Sequence, residues 1–175
     1  MALIISAKVC YDYVTGLKHK CGPKLGFDLF MFDKILVVCV ANICRSPTGE
    51  RLLKSLLPEK SVASAGIDCE KSRMVGKPAD SMACSIAQQN NLGLSGHLAQ
   101  QLTAEMCNQY DLILVMEKKH IEAVTQIAPQ ARGKTMLFNH WAGREIPDPY
   151  RQSHEAFEHV YQLMYEAALA WKEKL

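Results

Sequence analysis

Past Met31, apolar positions fall into two alternating kinds of stretch. Short continuous runs such as Ile35-Leu-Val-Val38 carry no period and suit strands buried on both faces. Between them lie stretches whose apolar residues recur every three or four positions, as on an amphipathic helix. The runs predict strands over Lys34 to Cys39, Ser61 to Ser64, Leu112 to Met116 and Lys134 to Leu137. The periodic stretches predict helices over Thr48 to Leu57, with Leu52, Leu53, Leu56 and Leu57 on one face, over Ala79 to Asn90, and over Lys118 to Ile127. A last helix begins near His154 and carries Phe157, Val160, Tyr161, Met164, Ala168 and Trp171 at helical spacing, as core residues rather than a ligand platform. Strand alternating with helix predicts an α/β fold around a parallel sheet.

Residues 1–30 break this rhythm and are expected to form an N-terminal extension outside a single domain over residues 31–175. Val9 to Val14 could instead add an edge strand. Met1-Ala-Leu-Ile-Ile-Ser-Ala lacks the basic start of a signal peptide, and no apolar run approaches the ~18 residues of a membrane span. Seven cysteines, an odd number without metal-site spacing, read as reduced intracellular thiols. A net charge of +2 without a basic stripe gives no reason to expect nucleic acid. A soluble cytoplasmic protein with no membrane insertion is expected.

Candidate chemistry sits where the first strand meets the first helix. Cys39-Val-Ala-Asn-Ile-Cys-Arg45-Ser46-Pro47 is a C-x5-R loop. Backbone N–H groups turned inward would form an anion nest, and the positive end of the following helix would point at the same place. An arginine folded over that nest holds a dianion in a bidentate fork, and a cysteine in such a field favours the thiolate. Ser46 reads as N-cap and Pro47 as first helical residue. A bare C-x5-R is common by chance, and Cys39 alone could be a buried strand-end residue. The strand, loop and helix grammar in register with both residues points to cysteine-dependent phosphoester chemistry.

The loop resembles that of the low-molecular-weight protein tyrosine phosphatases, C-x-G-N-x-C-R-[ST]-P. The resemblance continues through Ser64-Ala-Gly66, Gly96-His97, Tyr110-Asp-Leu-Ile-Leu114 and Asp148-Pro-Tyr150. Met116-Glu-Lys-Lys-His-Ile121, Met136-Leu-Phe138, His140-Trp141 and Ile146-Pro-Asp-Pro-Tyr-Arg151 resemble the bacterial branch associated with capsule and exopolysaccharide export. That resemblance implies a three-layer fold with a four-stranded parallel sheet of order 2-1-3-4. It implies a phosphotyrosine hydrolase without metal or organic cofactor, acting on a phosphotyrosine protein such as a membrane tyrosine autokinase.

The resemblance also distributes roles. Cys39 becomes the nucleophile that forms phosphocysteine, Arg45 the clamp and Asp148 the acid and base. The loop Val40, Ala41, Asn42, Ile43 and Cys44 cradles phosphate, Ser46 supports the thiolate, and Asn42 and His97 hold the loop open. Cys44 would trap oxidised Cys39 as a disulfide. Tyr150 would flank the phenol ring, and Met74 and Val75 would form an apolar lip of the substrate cleft on the segment from Ile67 to Gly76, which is a few residues longer than in the bacterial relatives. Ala41 replaces the family's glycine; if that position needs positive φ or very close approach of a phosphate oxygen, the methyl group costs on the order of 1 kcal/mol or more and weakens the cradle. Two alternatives remain: a thiol-relay arsenate reductase, which needs further cysteines on a mobile segment whereas Cys84 and Cys107 fall in helical or helix-end patterns, and a weakly active phosphotyrosine-binding module allowed by Ala41.

Overall fold

The protein is described by a computed structural model covering residues 32–175 and a short antiparallel pairing of Cys10–Tyr11 with Lys18–His19. The expected extension over residues 1–30 otherwise lies outside the described residues. Of the candidate edge strand Val9 to Val14, only Cys10–Tyr11 is described, and it pairs in that separate ribbon rather than with the main sheet.

Four parallel strands make the sheet: β1 (Lys34–Cys39), β2 (Ser61–Gly66), β3 (Leu112–Val115) and β4 (Thr135–Leu137). Their spatial order is β2-β1-β3-β4, as the resemblance implied. Cys39, at the carboxyl end of the central strand β1, pairs with Gly66 of the edge strand β2, and Val38 pairs with Val115 of the other central strand, β3. Ligands of open α/β sheets gather at this edge.

Both faces are covered, which is why the strands read as continuous apolar runs. Ile35, Val37, Leu112 and Leu114 face a core shared with α1 (Arg45–Leu56), α2 (Ser81–Gln89) and α5 (His154–Lys172). Leu36, Val38, Ile113 and Val115 face α3 (Ala104–Gln109), α4 (Lys118–Ile127) and the 3₁₀ turn Pro129–Lys134. Neighbouring residues of β1 thus enter opposite layers. Each fully buried Val, Ile or Leu stabilises by ~1.5–3 kcal/mol relative to exposure.

The start of α1 departs from expectation. Its N-cap is Cys44, without a side-chain cap, and Arg45, Ser46 and Pro47 form the first turn. Pro47 still costs nothing there, because the first turn has no acceptors for its N–H groups. Ser46 does not cap because its hydroxyl is engaged by Cys39. Asp80 and Thr103 do cap α2 and α3, accepting from Met82 and Met106 respectively. Helix α3 and the 3₁₀ turn were not foreseen. No helix among the described residues is long and apolar enough to cross a membrane.

Candidate active site

A nest needs its carbonyls pulled outward, and here each one is. Going round the loop, the carbonyl of Cys39 accepts from Ile67 N (2.9 Å), Val40 from Asp68 N (2.9 Å) and Ala41 from Cys69 Sγ (2.9 Å). Asn42 accepts from His97 Nε2 (2.7 Å), Ile43 from Asp80 N (2.8 Å) and Cys44 from Thr48 Oγ1 (2.8 Å). Because a peptide is planar and trans, fixing the carbonyl outward fixes the next N–H inward. Asn42 N duly donates to Cys39 Sγ at 3.3 Å. The positive end of α1 adds to that field. Gly66 permits the close approach from β2: a Cβ there would stand 2.7 Å from Val40 O and 3.0 Å from Asn42 N.

Asn42 carries the loop's left-handed residue, φ 55°, a conformation asparagine tolerates better than most. Ala41 is not in the left-handed region. The backbone strain expected of a positive φ at Ala41 therefore does not arise, because the backbone turns one residue later, at Asn42.

Side chains then orient the sulfur's neighbours. Asn42 Oδ1 accepts from Gln100 N (2.9 Å), which fixes Nδ2 to donate to Ser46 Oγ (2.8 Å) and Ser64 Oγ (2.9 Å). Ser46 Oγ, accepting there, lies 3.0 Å from Cys39 Sγ, a contact in which either atom can donate; the other acceptor in reach of its proton, Ala65 O, is farther away at 3.5 Å. Ser64 donates onward to Glu50 Oε2 (2.6 Å), and Glu50 pairs with Lys54 (2.6 Å). An unbroken chain of polar contacts thus leads from the exposed side of α1 to Cys39. His97 is buried, and its Nε2 must carry the hydrogen because a carbonyl only accepts.

Arg45 is 2% exposed and held from three sides. Nη1 donates to Glu117 Oε1 (2.7 Å) and to Ile146 O (2.9 Å), while Nη2 meets Asp148 Oδ2 (2.9 Å). Burial alone would raise the Glu117 carboxyl, but hydrogen bonds from Lys119 and Arg45 outweigh it and hold the group below its ordinary value. His120 beside it is held down to about 4, chiefly by burial and against the attraction of Glu117. Neutral His120 leaves Arg45 and Lys119 as the cations facing Glu117. Burial pushes the Cys44 thiol well up, with Asp80 and Cys39 adding to it.

A pocket of ≈170 Å³ opens over the loop, lined by Cys39 through Arg45 except Asn42 and by Ser72, Met74, Asp148 and Tyr150. Cys39, Arg45, Asp148, Met74 and Tyr150 are thus brought together. Val75 is not: it is 52% exposed and outside the lining, whereas Met74, at the end of the turn over residues 67–73, is partly buried against the core and lines the pocket. Ser72 stands in the wall instead. Cys107 belongs to the opposite layer of the sheet, and Cys84 Sγ turns to Ala79 O (3.8 Å), so neither forms a thiol pair with the loop. Among the described residues no cluster of three or more His, Cys, Asp or Glu suits a metal.

Sequence reading missed Glu117, Glu50, Ser64, Gln100 and Cys69. Only Glu117 left a usable sign, an acidic residue just beyond the end of β3, on the sheet edge that Cys39 occupies.

Comparison with known proteins agrees with this geometry. A sequence profile of the low molecular weight phosphotyrosine protein phosphatases matches residues 34–175. The protein-tyrosine-phosphatase Wzb of Salmonella typhimurium strain LT2 is 56% identical over 146 residues, 83% of this chain and 95% of that one. The structure of Vibrio vulnificus Wzb in complex with benzylphosphonate superposes with TM-score 0.81 at 68% identity, covering 82% of this chain and 99% of that one. Tyrosine phosphatase AmsI of Erwinia amylovora gives TM-score 0.79 at 55% identity, with 82% and 93% covered. With the profile spanning the whole sheet and the loop at its edge, the chain belongs to the low molecular weight phosphotyrosine protein phosphatase family.

Proposed function

We propose that this protein hydrolyses phosphotyrosine in proteins through a phosphocysteine on Cys39. The observation that carries the reading is the ring of outward-held carbonyls over residues 39–44, which turns the following amides into the nest, that of Asn42 donating to Cys39 Sγ. Benzylphosphonate, named in the Vibrio vulnificus Wzb structure, has the charge and ring of a phenyl phosphate.

Cys39 Sγ attacks phosphorus, the S–P bond forms, and the P–O bond to the phenol breaks. Asp148 gives its proton to the departing phenolate. Water then attacks phosphorus, Asp148 takes its proton, and thiolate and inorganic phosphate are released. Arg45 and the loop amides hold the equatorial oxygens as charge redistributes. A dianion in the nest competes with Asp148 for Arg45 Nη2, so substrate frees the carboxyl to face the leaving group. Ser46 stabilises the thiolate as it leaves phosphorus. Met74 and Tyr150 flank the phenol ring. The cellular substrate in this reading is a membrane tyrosine autokinase of polysaccharide export, met in the cytoplasm.

Incubation with p-nitrophenyl phosphate and with phosphotyrosine and phosphoserine peptides tests the class. Cys39→Ser is expected to bind phosphate esters and lose turnover; phosphate trapped covalently on another residue, or normal turnover by Cys39→Ser, overturns the reading. Asp148→Asn is expected to lose more kcat for poor phenolate leaving groups than for good ones. Equal losses would leave Asp148 a structural partner of Arg45. A chelator is expected to change nothing.

A further inference from the structure

The geometry points to Cys69 as a positioning residue for the nucleophile: among the described residues, its thiol fixes the peptide plane that presents an N–H to Cys39 Sγ. This deepens the phosphatase reading and rests on it for its catalytic consequence.

The Ala41–Asn42 peptide has two ends. Its carbonyl accepts from Cys69 Sγ at 2.9 Å, and its N–H, that of Asn42, donates to Cys39 Sγ at 3.3 Å. Planarity makes these one constraint, since releasing the carbonyl lets the N–H swing away from the sulfur. The carbonyls before and after Ala41 are held by donors that do not depend on Cys69, namely Asp68 N and His97 Nε2. At Ala41 the acceptor depends on one side chain, and a thiol is a weak donor.

Cys69 is built into place for this. It is fully buried, and a Cβ on Gly66 would lie 2.8 Å from its sulfur, so the space around Sγ is filled. Its own carbonyl accepts from Met74 N (2.8 Å) and Ser72 Oγ (3.2 Å), which closes the turn on itself. Burial first, then the nearby Cys39 and Glu70, push this thiol up to about 11, so it stays protonated and able to donate at neutral pH. The turn that supplies it also supplies Ser72 and Met74 to the pocket wall. One segment therefore shapes the substrate wall and sets the reactivity of the nucleophile.

The test compares Cys69→Ala and Cys69→Ser with the intact chain. The rate of iodoacetamide alkylation at Cys39, mapped by peptide mass at mildly acidic pH, is expected to fall about 3- to 10-fold in Cys69→Ala, the worth of one hydrogen bond. kcat for p-nitrophenyl phosphate is expected to fall by a similar factor, while inhibition by inorganic phosphate moves less than about two-fold. Cys69→Ser, whose hydroxyl donates, is expected to recover most of the loss. If Cys69→Ala does not fold, Cys69→Val replaces it, filling volume without a donor, and the contrast with Cys69→Ser is unchanged. Equal Cys39 alkylation in the donor and donorless variants overturns the assignment and leaves Cys69 a packing residue. Alkylation needs no substrate, so it is independent of the phosphatase reading, which falls separately if the intact chain releases no phosphate.

Discussion

Replacing Asn42 by alanine and by glycine separates two things that one residue does. Both variants lose the donations to Ser46 and Ser64 and orphan Gln100 N, a buried-side penalty of ~1–3 kcal/mol. Only alanine also pays for φ 55°, ~1–2 kcal/mol for an L residue with a Cβ. Asn42→Ala should therefore lose ~2–5 kcal/mol and Asn42→Gly ~1–2 kcal/mol less. At ~2–4 °C per kcal/mol for a chain of this size, thermal melting should place the alanine variant ~2–8 °C below the glycine variant. That order reverses the usual one, in which alanine is the more stable of the two. Turnover should not follow it: both variants should lose ~5- to 30-fold in kcat, because both leave Ser46 without the donor that holds its hydroxyl beside Cys39. If Asn42→Ala melts above Asn42→Gly, the left-handed turn does not constrain the loop. If kcat survives in either, the Asn42–Ser46–Cys39 chain is not used.

Ala41→Gly is expected to bring no gain in kcat/KM and to lower stability by ~0.5–1 kcal/mol through chain entropy, since Ala41 is not left-handed; a clear rise in kcat/KM would show that the methyl obstructs phosphate. Acid should weaken the fold: His120 is held near 4 against ~6.5 unfolded, so its contribution is present above ~6.5 and lost as pH falls toward 4, and depressed Glu117 acts in the same direction at lower pH. His120→Leu should flatten the melting-temperature profile between those values, and an unchanged slope would contradict the assignment. Removal of residues 1–30 is expected to leave kcat and melting temperature within error, because the profile match and every proposed catalytic group lie beyond it; a large drop in melting temperature would mean that the segment docks on the sheet.

What the sequence discloses is what short-range pattern encodes. Strand β1 is plain because Ile35 to Val38 face two cores and leave no polar gap. Helix α3 is hidden because it has six residues and buries only Cys107, too little for a period to register. Local capping grammar misplaces the start of α1, since a contact with Cys39 outbids the capping role of Ser46. Cys39 and Arg45 are legible because they lie only six positions apart. The partners that hold Arg45, Glu117 and Ile146, lie 72 and 101 residues away, and nothing near either names the guanidinium. Cys69 is harder still, as its thiol finds Ala41 O only once β1 and β2 are paired.

Those distances have a consequence for the newly made chain. Synthesis delivers the loop from Cys39 to Arg45 early, while the donors that hold its carbonyls arrive as far along as His97 and the groups that hold Arg45 as far as Asp148. Until the last of these has emerged and docked, the loop lacks the contacts on which the proposed role of Cys39 depends. A ribosome-bound or truncated copy cannot strip phosphate from whatever it meets, and it offers peroxide no special target. Reactivity is thus a certificate of completed folding, issued only when nearly the whole domain has been read.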